Sequence, residues 1–225
     1  MGPRASRLLL ALSAVAAGLN LASSFRARGA RRSLLLFALG TGLPAAGELL
    51  ATGPLRLLRH RLRYRVAGVP VAVLLGWYAA IHGSLAVAAR AGRRLGLDGS
   101  TEREVVPVLA ALTGVGFDLI LDPAGLDAGL WEWNANGRYA SGVRGANGLA
   151  GVPLVNYLGW AALVWGVARL YGPDREDTRD GPLPTLVVAA PYLAAAAWAL
   201  DRGRLRYLLY SSAFPVVLYA GLCRR

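Results

Sequence analysis

Apolar residues run along this chain in seven long blocks, with little polar material between them. The blocks cover about 5–24, 33–52, 66–89, 104–121, 152–171, 183–200 and 206–223. Each is long enough, as a helix rising about 1.5 Å per residue, to approach the roughly 30 Å of a bilayer's hydrocarbon. The pattern predicts an all-α, polytopic membrane helix bundle of about seven transmembrane helices. The linkers leave no room for a separate soluble unit, so residues 1–225 read as a single integral-membrane domain. Arg4 and Arg7 precede the first block, which reads as a retained helix in preference to a cleaved signal peptide.

The polar punctuation repeats. Gly-Val-Pro, four residues and Leu-Gly-Trp run from Gly68 to Trp77 and again from Gly151 to Trp160, 83 positions later. Each copy follows an apolar segment with a Thr-Gly pair and an acid, Thr41-Gly42 with Glu48 and Thr113-Gly114 with Asp118. Both copies read as helix–loop–helix in the same orientation, at about 41–89 and 113–171, so both loops should emerge on one face. Pro70 and Pro153 fit helix starts, where a missing N–H costs little. Gly76 and Gly159 are expected to let helices approach closely, and Trp77 and Trp160 lie about a turn and a half inside their helices. The copies diverge at Val73 against Asn156 and Leu74 against Tyr157, and the second is longer by 11 residues in its loop. That asymmetry directs the search for chemistry to the second half.

Composition adds a constraint. Hydrophobic residues make up 55% of the chain, mean hydropathy is +0.42 and net charge is +12. All 25 basic residues are arginine. They lie between apolar blocks instead of on one face, which fits contact with lipid head groups and excludes a nucleic-acid partner. The segment Arg56, Arg59, Arg61, Arg63, Arg65 makes the loop between the second and third blocks the most basic and slightly favours its being cytoplasmic. Cys223 alone forms no internal disulfide, and His60 and His82 alone make no Cys/His metal site. His60, among five arginines, is expected to face head groups; His82, within a span, is expected to be a satisfied core residue.

Three acids sit at membrane depth. Asp118 and Asp122, four apart, share a helix face. Loss of solvation and a neighbouring carboxylate both disfavour the charged form, which favours a neutral, proton-donating acid. Asp122-Pro123 also reads as an ordinary helix-ending turn, and Asp118 as an interhelical hydrogen bond. Glu48 should face the bundle, as a functional group or as the buried partner of a loop arginine. Trp131 and Trp133 flank Glu132 and read either as an interfacial aromatic belt or as a lid over an elongated apolar ligand, where indole faces also stabilise a cation. Asn134, Asn136 and Tyr139 hold water or cap the loop. Asn156 orients water or bonds a neighbouring helix.

These motifs carry a resemblance. Asp118-Leu-Ile-Leu-Asp-Pro, Gly129-Leu-Trp-Glu-Trp and Gly151-Val-Pro-Leu-Val-Asn-Tyr-Leu-Gly-Trp160 resemble, in order and spacing, the integral-membrane carotenoid biosynthesis family that includes carotenoid 1,2-hydratases and bisanhydrobacterioruberin hydratase. The likeness spans roughly 40–170 and extends to Glu48 and Gly68-Val-Pro to Trp77. It lapses between them, where the family tends to be Gly- and Tyr-rich and this chain is Arg-rich. The resemblance implies a hydro-lyase that adds water across the terminal C=C of an acyclic carotenoid, with no redox cofactor or metal. The implied partners are a long polyene, water, the lipid bilayer and other carotenoid-pathway enzymes. Asp118 is expected to donate the proton and Asp122 or Glu48 to orient water. Asn156 holds that water, and Trp77, Trp131, Trp133, Tyr157 and Trp160 line the substrate. The rival expectation is a membrane transporter, or a lipid-binding or scaffold protein without chemistry.

Overall fold

The computed structural model describes residues 3–134, 151–172 and 181–222. Seven helices dominate it: α1 (Pro3–Thr52), α2 (Val71–Arg94), α3 (Gly99–Asp127), α4 (Leu154–Tyr171), α5 (Leu183–Asp201), α6 (Arg206–Tyr210) and α7 (Ala213–Leu222). Four short strands complete it: β1 (Leu58–His60), β2 (Arg65–Val66), β3 (Val69–Pro70) and β4 (Trp131–Trp133). The all-α membrane bundle expected from the apolar blocks is what the chain forms. Helices α1, α2, α3 and α5 are long and apolar enough to cross a membrane.

The first two apolar blocks are two arms of α1, broken at Gly29, which has φ 75° and ψ 173°. Only glycine enters that region at little cost. The outer face of the first arm exposes Leu8, Leu12, Val15 and Leu19, the spacing of a lipid-facing helical stripe. Helix α2 is the enclosed one and packs against α1, α3, α5 and α7. Its buried run includes Tyr78, Ile81, Leu85 and Val87, with alanines between them.

Three boundaries differ from expectation. The block at 66–89 begins as a β2–β3 hairpin, with Tyr64 and Ala67 at positive φ, and becomes helical only at Val71. The Asp122-Pro123 pair does not end its helix. Pro123 lies inside α3, which continues to Asp127; a missing N–H within a packed membrane helix is tolerable when neighbours satisfy the freed carbonyl. The last block, expected as one span, is broken into α6 and α7. Pro215 accounts for this, because its ring clashes with the carbonyl four residues back, at Ser211. That carbonyl accepts the N–H of Phe214 in a turn.

The glycines expected to mediate close helix packing are not the ones that do so. A Cβ on Gly76 or Gly159 would meet nothing within 4 Å. Close approach belongs to Gly83, where a Cβ would fall 2.5 Å from Val188, and to Gly114 and Gly116, which face Val164 and the Phe214 backbone.

The doubled motif is doubled structure. Gly68 and Gly151 take φ 89° and 84°. Pro70 (φ −65°, ψ 133°) and Pro153 (φ −72°, ψ 143°) then stand extended at the starts of α2 and α4. The two preceding loops meet: β1 pairs antiparallel with β4, in the register Leu58↔Trp133, Arg59↔Glu132, His60↔Trp131. Both loops therefore close the same end of the bundle.

A carboxylate cluster under paired loops

Asp118 and Asp122 sit one turn apart on α3, each only 3% exposed. Asn156, in the first turn of α4, bridges them. Its Nδ2 donates to Asp118 Oδ2 at 2.7 Å and to Asp122 Oδ2 at 3.0 Å. Two indoles complete the shell of Asp122: Trp133 Nε1 donates to Oδ2 at 3.1 Å, and Trp131 Nε1 donates to Oδ1. Asp122 is thus filled as an acceptor from three N–H groups. Asp118 has one such donor and keeps Oδ1 without a protein donor among the described residues, the place where a proton can sit.

β4 delivers both indoles because alternate strand residues share a face. Glu132, between them, faces the other way. It pairs with Arg61 at 2.5 Å and Arg59 at 3.5 Å. The hydrogen bonds from Arg61, reinforced by the charges of Arg61 and Arg59, hold its carboxyl below the usual carboxylate range. Gly125 makes room for the arrangement. A Cβ there would fall 2.2 Å from the Trp131 ring, so only glycine lets the indole lie against the last turns of α3. Trp131 and Trp133 are folded back onto α3, with both indole N–H groups on Asp122.

Glu48, near the end of α1, is the third buried acid. Trp77 Nε1 donates to its Oε1 at 3.0 Å, and His60 Nε2 lies 2.8 Å from its Oε2. The expectation that His60 faces head groups is incorrect: it is 5% exposed and turned inward from β1. Alternation was the available signal. Arg59, Arg61, Arg63 and Arg65 occupy odd positions and leave 60 and 62 for the inner face. No loop arginine reaches Glu48 among the described residues; its partner is this histidine.

Trp77 and Trp160, the closing residues of the two motif copies, stack face to face, with centroids 3.8 Å apart and planes at 26°. Phe117 stands 6.1 Å from Trp160. Tyr157 is buried, and its hydroxyl has no hydrogen-bond partner among the described residues. The nine positions expected to carry the site therefore converge at the loop-covered end of the bundle. His82 stands apart. Arg28 Nη1 lies 2.9 Å from its Nε2 and the Tyr78 hydroxyl 3.4 Å from its Nδ1, a satisfied core residue as expected. Asn134 donates its backbone N–H to Leu57 at 2.7 Å, while Asn136, Tyr139 and Cys223 lie outside the described residues.

A family model described as carotenoid biosynthesis protein matches residues 6–200, which include every residue of this cluster. The chain belongs to the carotenoid biosynthesis protein family. Membership gives this membrane protein a biosynthetic role and implies a carotenoid substrate. No curated protein and no solved structure matches the chain. For a carotenoid biosynthesis protein the arrangement is chemically apt. Carboxyl groups are able to transfer protons and indole faces to stabilise cations.

Proposed function

We propose that the chain is a carotenoid hydratase, a multi-pass protein of the cell membrane that adds water to the terminal C=C of an acyclic carotenoid and gives a tertiary alcohol. The observation that carries this reading is the unequal aspartate pair. One acid is filled by three N–H donors, and its neighbour, held by the same amide, has an oxygen left for a proton.

In this mechanism Asp118 gives its proton to the less substituted alkene carbon. A new C–H bond forms and the π pair leaves a tertiary cation on the adjacent carbon. The Asp122 carboxylate and the indole faces stabilise that charge without reorganising. A water molecule, oriented by Asn156, adds its oxygen to the cation. The released proton passes to Glu48, whose two oxygens each hold a single donor. Transfer of that proton from Glu48 to Asp118 restores the resting state, so alkene and water are consumed and no net proton is exchanged. Tyr157 and the Trp77–Trp160 stack line the end-group position.

Expression in cells that accumulate lycopene, or a bisanhydro-type precursor, tests the reading. The expected product is the carotenoid heavier by one water, detected by mass spectrometry. General acids contribute about 10²–10⁴-fold, so Asp118→Asn should lower product by that order. Wild-type yield from this variant would remove Asp118 as the acid, and an unchanged pigment profile with the native chain would remove the hydratase reading.

A further inference from the structure

The Arg-rich first loop is where this chain departs from the family it resembles, and the carboxylate chemistry does not use its arginines. Its basic residues converge. Arg59, His60, Arg61 and Arg65 line a cavity of about 460 Å³ beside β1. Glu132 pairs with Arg59 and Arg61 across the strands and offsets one of the three guanidinium charges, leaving the cavity net positive. Arg65 donates to the Leu62 carbonyl at 3.0 Å and to the His60 carbonyl, which fixes its guanidinium at the rim. His60 stands behind the arginines, its side chain more than nine-tenths buried and its Nε2 committed to Glu48.

We propose that this cavity is a binding site for a phosphate-type oxyanion, presented by an anionic lipid headgroup or by free phosphate. Several guanidinium N–H groups around a polar hollow match the tetrahedral oxygens of a phosphate. The cavity lies on the loop that closes the bundle, where basic clusters next to membrane spans meet head groups. Neither zwitterionic phosphocholine, whose own ammonium neutralises its phosphate, nor a neutral sugar supplies the same match. The groups facing His60 are Glu48 from α1, Trp131 from β4 and the three arginines of its own loop. An oxyanion in the cavity is thus one imidazole away from the carboxylate cluster. The site stands independently of the hydratase reading.

The test uses the full chain in nanodiscs of phosphatidylcholine mixed with phosphatidylglycerol. Retained lipid is read by native mass spectrometry, and inorganic phosphate binding by equilibrium dialysis with radiolabelled phosphate in phosphatidylcholine discs. Charge-assisted hydrogen bonds of this kind change affinity by about tenfold each. Arg59→Gln and Arg65→Gln should each weaken binding by that order, whereas Arg94→Gln, exposed at the far end of α2, should not. Arg59 is the safer probe because its side chain is 80% exposed and, among the described residues, pairs only with Glu132. Preferential phosphatidylglycerol retention lost in both loop variants supports the site with lipid as its source. Phosphate binding with the same variant pattern, without lipid preference, supports it with the free anion as its source. Equal retention of both lipids together with no phosphate binding overturns the proposal, as does equal loss in Arg94→Gln.

Discussion

Gly125 decides where the Trp131 indole can lie. Trp131 reaches Asp122 only because α3 offers a bare backbone at this position. Gly125→Ala keeps the helix, since alanine is the better helix former, but drives the indole off the carboxylate. The expected outcome is a loss of hydrated carotenoid with the helical circular dichroism unchanged; full product from this variant would show that the Trp131 contact is dispensable. The acids themselves were legible in the sequence because charge inside an apolar block has few reasons to be there. His60 was not, because a basic neighbourhood hides a residue whose alternation turns it inward. The glycines misled for a related reason. Gly76 and Gly159 sit in the repeated motif, yet which glycine meets a neighbouring helix depends on rotation about the helix axis, and that favoured Gly83, Gly114 and Gly116.

Among the elements, the β1–β4 pair holds the two loops together, and its strength depends on pH through Glu132. Arg61 lowers the carboxyl's affinity for protons in the folded chain. The stabilisation is therefore fully present above the ordinary carboxylate value of about 4.3 and is lost as pH falls through the depressed folded value. Hydrogen exchange at the Arg61 amide, which bonds the Leu130 carbonyl at 2.9 Å, should speed up on acidification in the native chain beyond its intrinsic pH trend. In Glu132→Gln that extra acceleration should vanish; if it persists, the ion pair does not govern the strand pairing. Helix positions were readable from apolar periodicity, but helix ends were not. Pro123 is absorbed within α3 while Pro215 splits the last block. The difference lies in what surrounds each freed carbonyl, which a single sequence does not display.

For the molecule as a whole, the two hairpins place both loops over one end, so the cluster opens toward one side of the membrane. In a chain with Cys223→Ser, cysteines introduced at Arg63 and Ala128, both exposed, should react with a membrane-impermeant maleimide from the same side. A cysteine at Arg94, at the opposite end of α2, should react only from the other. Labelling of Arg63→Cys and Ala128→Cys from opposite sides would break this arrangement. The duplicated pattern made a shared face legible from sequence, whereas the direct pairing of β1 with β4 needed the structure.

The stack of Trp77 on Trp160 joins a residue to its own counterpart. Contacts of that kind are what a twofold axis produces between two identical subunits, where one patch is complementary to itself. Here the second arm of α1 with α2 and α3 with α4 stand as two related halves, while the first arm of α1 and helices α5 to α7 have no counterpart. Two halves of one chain can differ as identical subunits cannot, because a change in one is not copied into the other. Val73 against Asn156 is such a difference, and only the second half carries the amide that bridges Asp118 and Asp122.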